Sequence, residues 1–183
     1  MWSEQVLIEA GCSPGVVAHC IAVSRAAVAL AKRVTGVPVE IELVRLGGLV
    51  HDIGRSRTAG IGHALEGVEI GRERGFPTTL LNIIERHIGA GITAAEAGRL
   101  GLPLRDYLPI TPEEKIVSYA DNLTKGAEPM PFTDAMERFV AILGHDHEGI
   151  RLFQEQHAEI QEWMRRGSGQ MTDTSINRSG DER

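Results

Sequence analysis

Residues 46–55 read LGGLVHDIGR, an apolar run that ends in a histidine and an aspartate. The run belongs to a segment over 40–52 whose leucine and valine residues recur at steps of three and four, the spacing of a helix face. Its two adjacent glycines lower helix propensity but allow another backbone to come close. The segment therefore predicts a core helix that ends with His51-Asp52 and is broken by Ile53-Gly54.

Helical patterns lie on both sides of this segment. Before it, Ser13 and Pro14 begin a helix that runs to about residue 33, with Ser13 as the N-cap and Pro14 in the first position. After it, further helices are predicted over about 63–74, 78–88, 93–100, 111–125, 133–143 and 147–166. Sustained period-two alternation, which is typical of strands, does not occur. The sequence predicts an all-α fold, a compact bundle of about seven or eight helices.

The composition is that of one globular domain followed by a tail. The chain has 183 residues, of which 42% are hydrophobic and only 4% aromatic, so aliphatic side chains must fill the core. The stretch from Gly167, GSGQMTDTSINRSGDER, is nearly free of apolar residues, which predicts disorder. We therefore expect one domain over 1–166 and a disordered tail over 167–183.

The charge pattern excludes several kinds of partner and compartment. The formal net charge is −6 and there is no basic cluster, so duplex nucleic acid and a membrane surface are not expected as partners.

Cys12 and Cys20 form no CxxC, which argues against a disulfide framework or a zinc ribbon, and both are expected to be buried. The start, MWSEQVLIEAG, does not resemble a secretory signal, and no run approaches the roughly 18 apolar residues of a membrane span. We expect a cytoplasmic protein.

Histidine and aspartate residues face the predicted core from separate helices. His19 and His87 lie on the apolar faces of their helices, Asp121 faces inward from another, and His51-Asp52 ends an apolar helix. Each has an ordinary structural explanation, since a lone core histidine usually has satisfied hydrogen bonds and a lone aspartate near a helix end is usually a cap. A buried carboxylate without a partner is costly, however. Inward-facing His and Asp on several helices are how helical folds build metal sites.

This pattern resembles the HD-domain superfamily of metal-dependent phosphohydrolases. The resemblance rests on His19, on HDIG at 51–54 and on the ADN motif that contains Asp121, and it covers about residues 14–125. The simplest members bind one metal through an H…HD…D set. Binuclear members add two histidines, whose places are taken here by His63 in GHALEG and His87 in ERHIG.

The resemblance implies a set of six metal ligands. They are His19, His51, Asp52, His63, His87 and Asp121. In a binuclear centre, Asp52 would bridge two ions, one held by His19, His51 and Asp121, the other by His63 and His87. The layout is also similar to the bacterial HD enzymes that cleave symmetrical dinucleoside tetraphosphates, and it lacks the GYP motif of the cyclic-di-GMP phosphodiesterases.

The ligand chemistry indicates the cofactor and the reaction. Imidazole and carboxylate ligands suit one or two divalent transition metal ions, with iron or manganese favoured and cobalt, nickel, zinc or magnesium possible. A metal-bound hydroxide held with Asp52 would be the nucleophile. Arg55, directly after HDIG, and Lys125, one turn further along the last predicted ligand helix, are the candidates to contact phosphate, although each fits equally well as a solvated charge at a helix end. Arg25 and Arg86 are weaker candidates.

The sequence therefore predicts a metal-dependent phosphohydrolase that cleaves an ester or anhydride of a small phosphorylated compound, with a nucleotide favoured. Two alternatives stay open, a di-iron oxygenase of the HD fold and a non-catalytic ligand-binding domain. A homodimer is possible. His145 and His147 form an HxH, but we interpret them as a loop that begins a helix, and we expect His157 at the surface.

Overall fold

The structure is a computed structural model that describes residues 3–166, and the chain within this range is mostly helical. The helices are α1 (Gln5–Glu9), α2 (Pro14–Ala31), α3 (Ile41–Val50), α4 (His63–Glu73), α5 (Thr78–Arg86), α6 (Ala94–Arg99), α7 (Pro112–Asn122), α8 (Phe132–Leu143) and α9 (Glu148–Arg166). A short 3-10 helix over Ile53–Ser56 follows α3. The predicted helical fold is confirmed, whereas the predicted disordered tail lies outside the described residues and the domain boundary at 166 stays a prediction.

Two features differ from the sequence-based expectation. Helix α7 ends at Asn122 rather than 125, and a hairpin of two short antiparallel strands follows, β1 (Thr124–Lys125) and β2 (Glu128–Pro129). Gly126 in the turn has a φ of +61°, a left-handed conformation that glycine adopts without steric cost. Two-residue strands are too short to show alternation, and five-residue α1 is too short to show helical periodicity, so the sequence pattern revealed neither.

Helices α2 and α3 pack backbone to backbone. A Cβ placed on Gly48 would lie 2.7 Å from the Cα of Ser24 on α2, so only glycine allows this approach. The contact confirms the backbone approach predicted for the glycine pair at Gly48, whereas Gly47 packs against the side chain of Ile83. It also brings the end of α3 next to the middle of α2, where the rings of His51 and His19 are 5.3 Å apart.

The other helices that carry predicted ligands pack around α2 and α3. Helix α7 packs on both α2 and α3, and α5 packs on α3 and α7. Helix α4 packs on α5 and on the 3-10 helix, while α9 covers α7 and α8 packs on α9. Five elements therefore point towards one interior position from different directions.

Helix α2 is long and apolar enough to cross a membrane by length and composition alone, with 18 residues and a mean hydropathy of 1.6. The expectation that no segment approaches a membrane span is therefore wrong by that criterion. Core helices of globular domains pass the same test, and here α2 packs against α1, α3 and α7 and carries His19.

Candidate metal centre

All six predicted ligands converge in the structure. The side chains come from the middle of α2 (His19), the end of α3 (His51, Asp52), the start of α4 (His63), the end of α5 (His87) and the last turn of α7 (Asp121). Four of them are buried, and His19 and Asp121 are partly exposed, with 16% and 21% of their side-chain surface accessible. Their role as metal ligands stays a prediction, but the described residues include three overlapping His/Asp clusters able to hold an ion.

Asp121 and one oxygen of Asp52 face the first pair of histidines. The Oδ1 atom of Asp121 is 2.9 Å from His19 Nε2 and 3.5 Å from His51 Nε2. The Oδ2 atom of Asp52 is 3.8 Å from each of the same two nitrogens. These four side chains enclose one half of the centre.

The other oxygen of Asp52 faces the second pair of histidines. Its Oδ1 atom is 3.1 Å from His63 Nε2 and 3.4 Å from His87 Nε2. The two histidine nitrogens are 3.0 Å apart. One carboxylate oxygen of Asp52 therefore faces each pair of histidines. A carboxylate that bridges two metal ions needs this placement.

Each histidine is oriented by a backbone carbonyl. The Nδ1 atoms lie 2.6–2.8 Å from the carbonyl oxygens of Gly126 (for His19), Gly48 (for His51), Gly60 (for His63) and Ile84 (for His87). A carbonyl oxygen only accepts, so each Nδ1 carries the proton and donates it. In the neutral imidazole the lone pair is then on Nε2, which faces the centre, as in metal-binding histidines.

This arrangement leaves interior atoms without partners. The Nε2 atom of His51 and the Oδ1 atom of Asp52 are buried and accept or donate no hydrogen bond. The Nε2 lone pairs of His63 and His87 face each other across 3.0 Å, which is repulsive unless a cation or proton lies between them. The donor set, two carboxylates and four inward nitrogens, therefore fits one or two transition metal ions.

The electrostatics of the cluster favour ionised carboxylates. Burial alone lowers the pKa of His51, but the carboxylates of Asp52 and Asp121 outweigh it and raise that pKa to about 9. Burial alone raises the pKa of both carboxyl groups, but the neighbouring histidines, His51 first, hold each of them well below its usual range. Burial lowers the pKa of His87. A metal ion would therefore meet two carboxylate anions at neutral pH.

Gly54 sets the distance between the two halves of the centre. A Cβ on this residue would lie 1.9 Å from the carbonyl oxygen of His63 and 2.4 Å from the backbone nitrogen of Gly67. The 3-10 helix after Asp52 therefore packs directly against the first turn of α4, which carries His63. Helix α3 ends at Val50, two residues earlier than predicted, and Gly54 lies within the 3-10 helix that follows. The essential property of Gly54 is this backbone contact.

The two predicted phosphate contacts are placed differently. Arg55 lies at the centre, where its Nε donates to Oδ2 of Asp52 at 2.5 Å and 35% of its side chain is exposed. The placement of Lys125 one turn further along α7 is wrong, because α7 ends at Asn122 and Lys125 is an exposed residue of the hairpin. Lys125 does not line the cleft that opens on the ligands.

The two weaker candidates lie elsewhere. Arg86 makes an ion pair of 3.0 Å with Glu114, and this contact joins α5 to α7. Arg25 is exposed on α2 and borders a different surface depression. Neither guanidinium is among the groups that line the cleft above the six ligands.

Sequence reasoning missed one charged residue of this cleft, Arg138 on α8. The cleft has a volume of about 350 Å³ and is lined by Gly15, Val16, His19, Asp52, Arg55, Asp121, Thr124, Gly126 and Arg138. Arg138 lies beyond the region that resembles a known family. The sequence did offer one indication of its position. Arg138 precedes Phe139 and lies three residues after Ala135, and both of these are buried, so Arg138 lies at the border of an apolar helix face.

The three histidines outside the ligand set do not line the cleft above the six predicted ligands. His147 lies in the loop before α9, as predicted, where its Nδ1 accepts from the backbone N–H of Gly149 at 3.0 Å. The surface position expected for His157 is wrong, because its ring stacks on Phe132 with centroids 3.7 Å apart and its Nδ1 lies 2.5 Å from the hydroxyl of Tyr119. Cys12 and Cys20 are buried and free, as expected.

Relatives of the chain include one of closely similar length. An uncharacterized protein of Methanocaldococcus jannaschii is 56% identical over 142 residues, which cover 76% of this chain and 84% of that protein. Two proteins named tRNA (cytidine(56)-2'-O)-methyltransferase, from Thermoplasma volcanium and Picrophilus torridus, are 40% and 45% identical over 73% and 56% of this chain. The chain spans only 39% and 30% of the length of these two methyltransferases.

The comparisons with solved structures and protein families agree on the fold. The HD domain of the L. monocytogenes phosphodiesterase PgpH has a TM-score of 0.53 at 17% identity, over 91% of this chain and 97% of that one. The same domain in complex with cyclic-di-AMP has a TM-score of 0.51, also at 17% identity, over 96% and 99% of the two chains. The model of the HD domain matches residues 16–126, a range that begins in α2 and ends in the hairpin and so contains all six converging side chains. The chain belongs to the HD domain family.

Proposed function

We propose that this protein is a metal-dependent phosphohydrolase acting on a small phosphorylated compound, with a nucleotide as the favoured substrate, and that it works in the cytoplasm. The observation that carries the proposal is the division of the Asp52 carboxylate, whose two oxygens face two different pairs of inward-directed histidine nitrogens. Membership of the HD domain family supports the same conclusion.

In this proposal the centre is binuclear. His19, His51 and Asp121 would hold one ion, His63 and His87 the other, and Asp52 would belong to both. Two divalent ions at such a site supply a water molecule of lowered pKa and positive charge that neutralises phosphoryl oxygens. Oδ2 of Asp52 lies 3.8 Å from Nε2 of His19, whereas Oδ1 lies 3.1 Å from Nε2 of His63, and this division supports two ions rather than one.

The chain itself determines the direction from which a substrate arrives. His63 and His87 have only 5% and 2% of their side-chain surface exposed, whereas His19 and Asp121 border the open cleft. A phosphoryl group would therefore approach over His19 and Asp121. Arg55 holds Oδ2 of Asp52 at 2.5 Å and so fixes the carboxylate plane, and its exposed face adds positive charge at the entrance.

A nucleotide is the favoured substrate for two reasons outside the site. The structurally similar domain from L. monocytogenes forms a complex with cyclic-di-AMP. Segments similar to this chain also occur in proteins named for a tRNA methylation. Most of the length of those proteins lies outside the matching segment, so the similarity does not extend their methyltransferase activity to this chain.

The test combines metal analysis with a substrate panel. Full-length protein purified without a histidine tag should contain one to two equivalents of a transition metal. It should hydrolyse nucleoside mono- or polyphosphates, with release of phosphate or pyrophosphate, or diesters, with release of a phosphomonoester. Hydrolysis in heavy-oxygen water should place the label on the phosphoryl product. The variant Asp52→Asn is the control and should be inactive. Oxygen consumption without phosphate release would favour the di-iron oxygenase, and metal binding without either activity would favour a ligand-binding domain.

A further inference from the structure

Arg138 carries a buried donor that nothing in the described chain satisfies. Its Nε atom is buried and has no hydrogen-bond partner, and among residues 3–166 its guanidinium makes no ion pair with an acidic group. An unpaired donor on a charged group is costly, since its desolvation is not compensated. Such a donor is retained where a ligand supplies the missing acceptor.

The position of Arg138 indicates where that acceptor would lie. Its side chain reaches the cleft from α8 and lines it together with His19, Asp52, Arg55 and Asp121. Arg55 already donates to Asp52. Among the two arginines that line the cleft, Arg138 is therefore the one whose Nε is buried without a partner.

The surroundings favour an anion at this position. Arginine presents several N–H donors in a planar fork that matches the oxygens of a phosphoryl group. The first turn of α2, at Gly15 and Val16, also borders the cleft, and the amino end of a helix carries partial positive charge. The cleft thus receives a guanidinium and a helix dipole beside the metal ligands.

We propose that Arg138 binds a phosphoryl oxygen of the substrate and is a catalytic residue outside the region shared with the HD domain family. The proposal rests on the phosphohydrolase function proposed above. It assigns a role to α8, which packs on α9 and contributes this one side chain to the cleft. Arg138 would hold the phosphoryl group against the metal ligands while Arg55 holds Asp52.

The test measures binding of inorganic phosphate to the full chain loaded with Mn²⁺, by calorimetry, and hydrolysis in parallel. Arg138→Ala should weaken phosphate binding by about 10- to 100-fold, the usual effect of losing a hydrogen bond to a charged group, while metal content and melting temperature stay at wild-type values. Millimolar guanidinium should restore part of the binding, which a merely structural role would not allow. The matched control is Arg72→Ala, which removes an exposed arginine paired with Glu69 on its own helix and should change nothing.

The outcomes separate this inference from the proposed function. Unchanged phosphate binding in Arg138→Ala, failure of the wild type to bind phosphate, or loss of metal and stability without guanidinium rescue would each overturn the role of Arg138. If the wild type binds phosphate but hydrolyses no substrate, the proposed phosphohydrolase function is refuted. The anion site remains supported in that case if Arg138→Ala loses phosphate binding and guanidinium restores it.

Discussion

Replacement of Gly54 by alanine should disrupt both the fold and the metal centre. The new Cβ would lie 1.9 Å from the carbonyl oxygen of His63, and an ordinary contact is about 3.4 Å, so the two backbones must separate by about 1.5 Å. Because both atoms belong to packed backbone, we expect a loss of about 3 kcal/mol in the free energy of unfolding. For a chain of this length that lowers the melting temperature by about 6–12 °C.

The same displacement would move a metal ligand. His63 is the first residue of α4, and metal–ligand distances tolerate changes of only about 0.2 Å. Gly54→Ala should therefore also reduce bound metal, as measured by elemental analysis. Gly62→Ala is the matched control, because Gly62 has a φ of −72° and a Cβ there meets nothing within 4 Å; it should be neutral or slightly stabilising. Equal stability and metal content in both variants would refute the reasoning.

Other predictions concern the predicted ligands and a half-buried histidine. Asp52→Asn should lower metal affinity by more than about 100-fold and abolish phosphate release, since it weakens both halves of the centre; retained metal at wild-type affinity would exclude a bridging role. His63→Ala and His87→Ala should each remove one equivalent of metal and leave the other. Loss of all bound metal in elemental analysis would contradict two separately held ions. Burial lowers the pKa of His157, so the unfolded chain binds that proton more tightly and the free energy of unfolding should fall as the pH drops below about 6.5. Urea titrations about one pH unit either side should show a smaller fall in His157→Gln, and an identical fall would contradict this.

Local sequence was sufficient for much of the centre. His51 and His87 end helices whose last carbonyl groups have no partner within the helix, and each Nδ1 donates to the carbonyl three residues earlier. His63 uses the same spacing at the start of α4. Since these contacts depend on neighbouring residues alone, the helix ends visible in the sequence already orient three of the four imidazoles.

Contacts between distant segments explain what sequence reasoning missed. The expected helix through Lys125 is replaced by a hairpin. The turn of this hairpin places the carbonyl of Gly126 where it accepts from His19, 107 residues earlier in the chain. Arg138 reaches the cleft only through the packing of α8. The position of Arg138 at the border of an apolar helix face can be read from its neighbours, but no motif within either segment indicates the distant residues that it will meet.

Apolar periodicity is a local property, and it was sufficient to predict the helical fold. The HDIG and ADN motifs carry the resemblance to the HD-domain family, and that resemblance implies the six side chains that converge. Only the tertiary structure decided how the ligands divide around Asp52, which cations line the cleft and why Gly54 is needed. These features depend on distances between elements that are far apart in the chain. Side-chain and backbone packing sets those distances, and the contact of Gly54 with the first turn of α4 is one example.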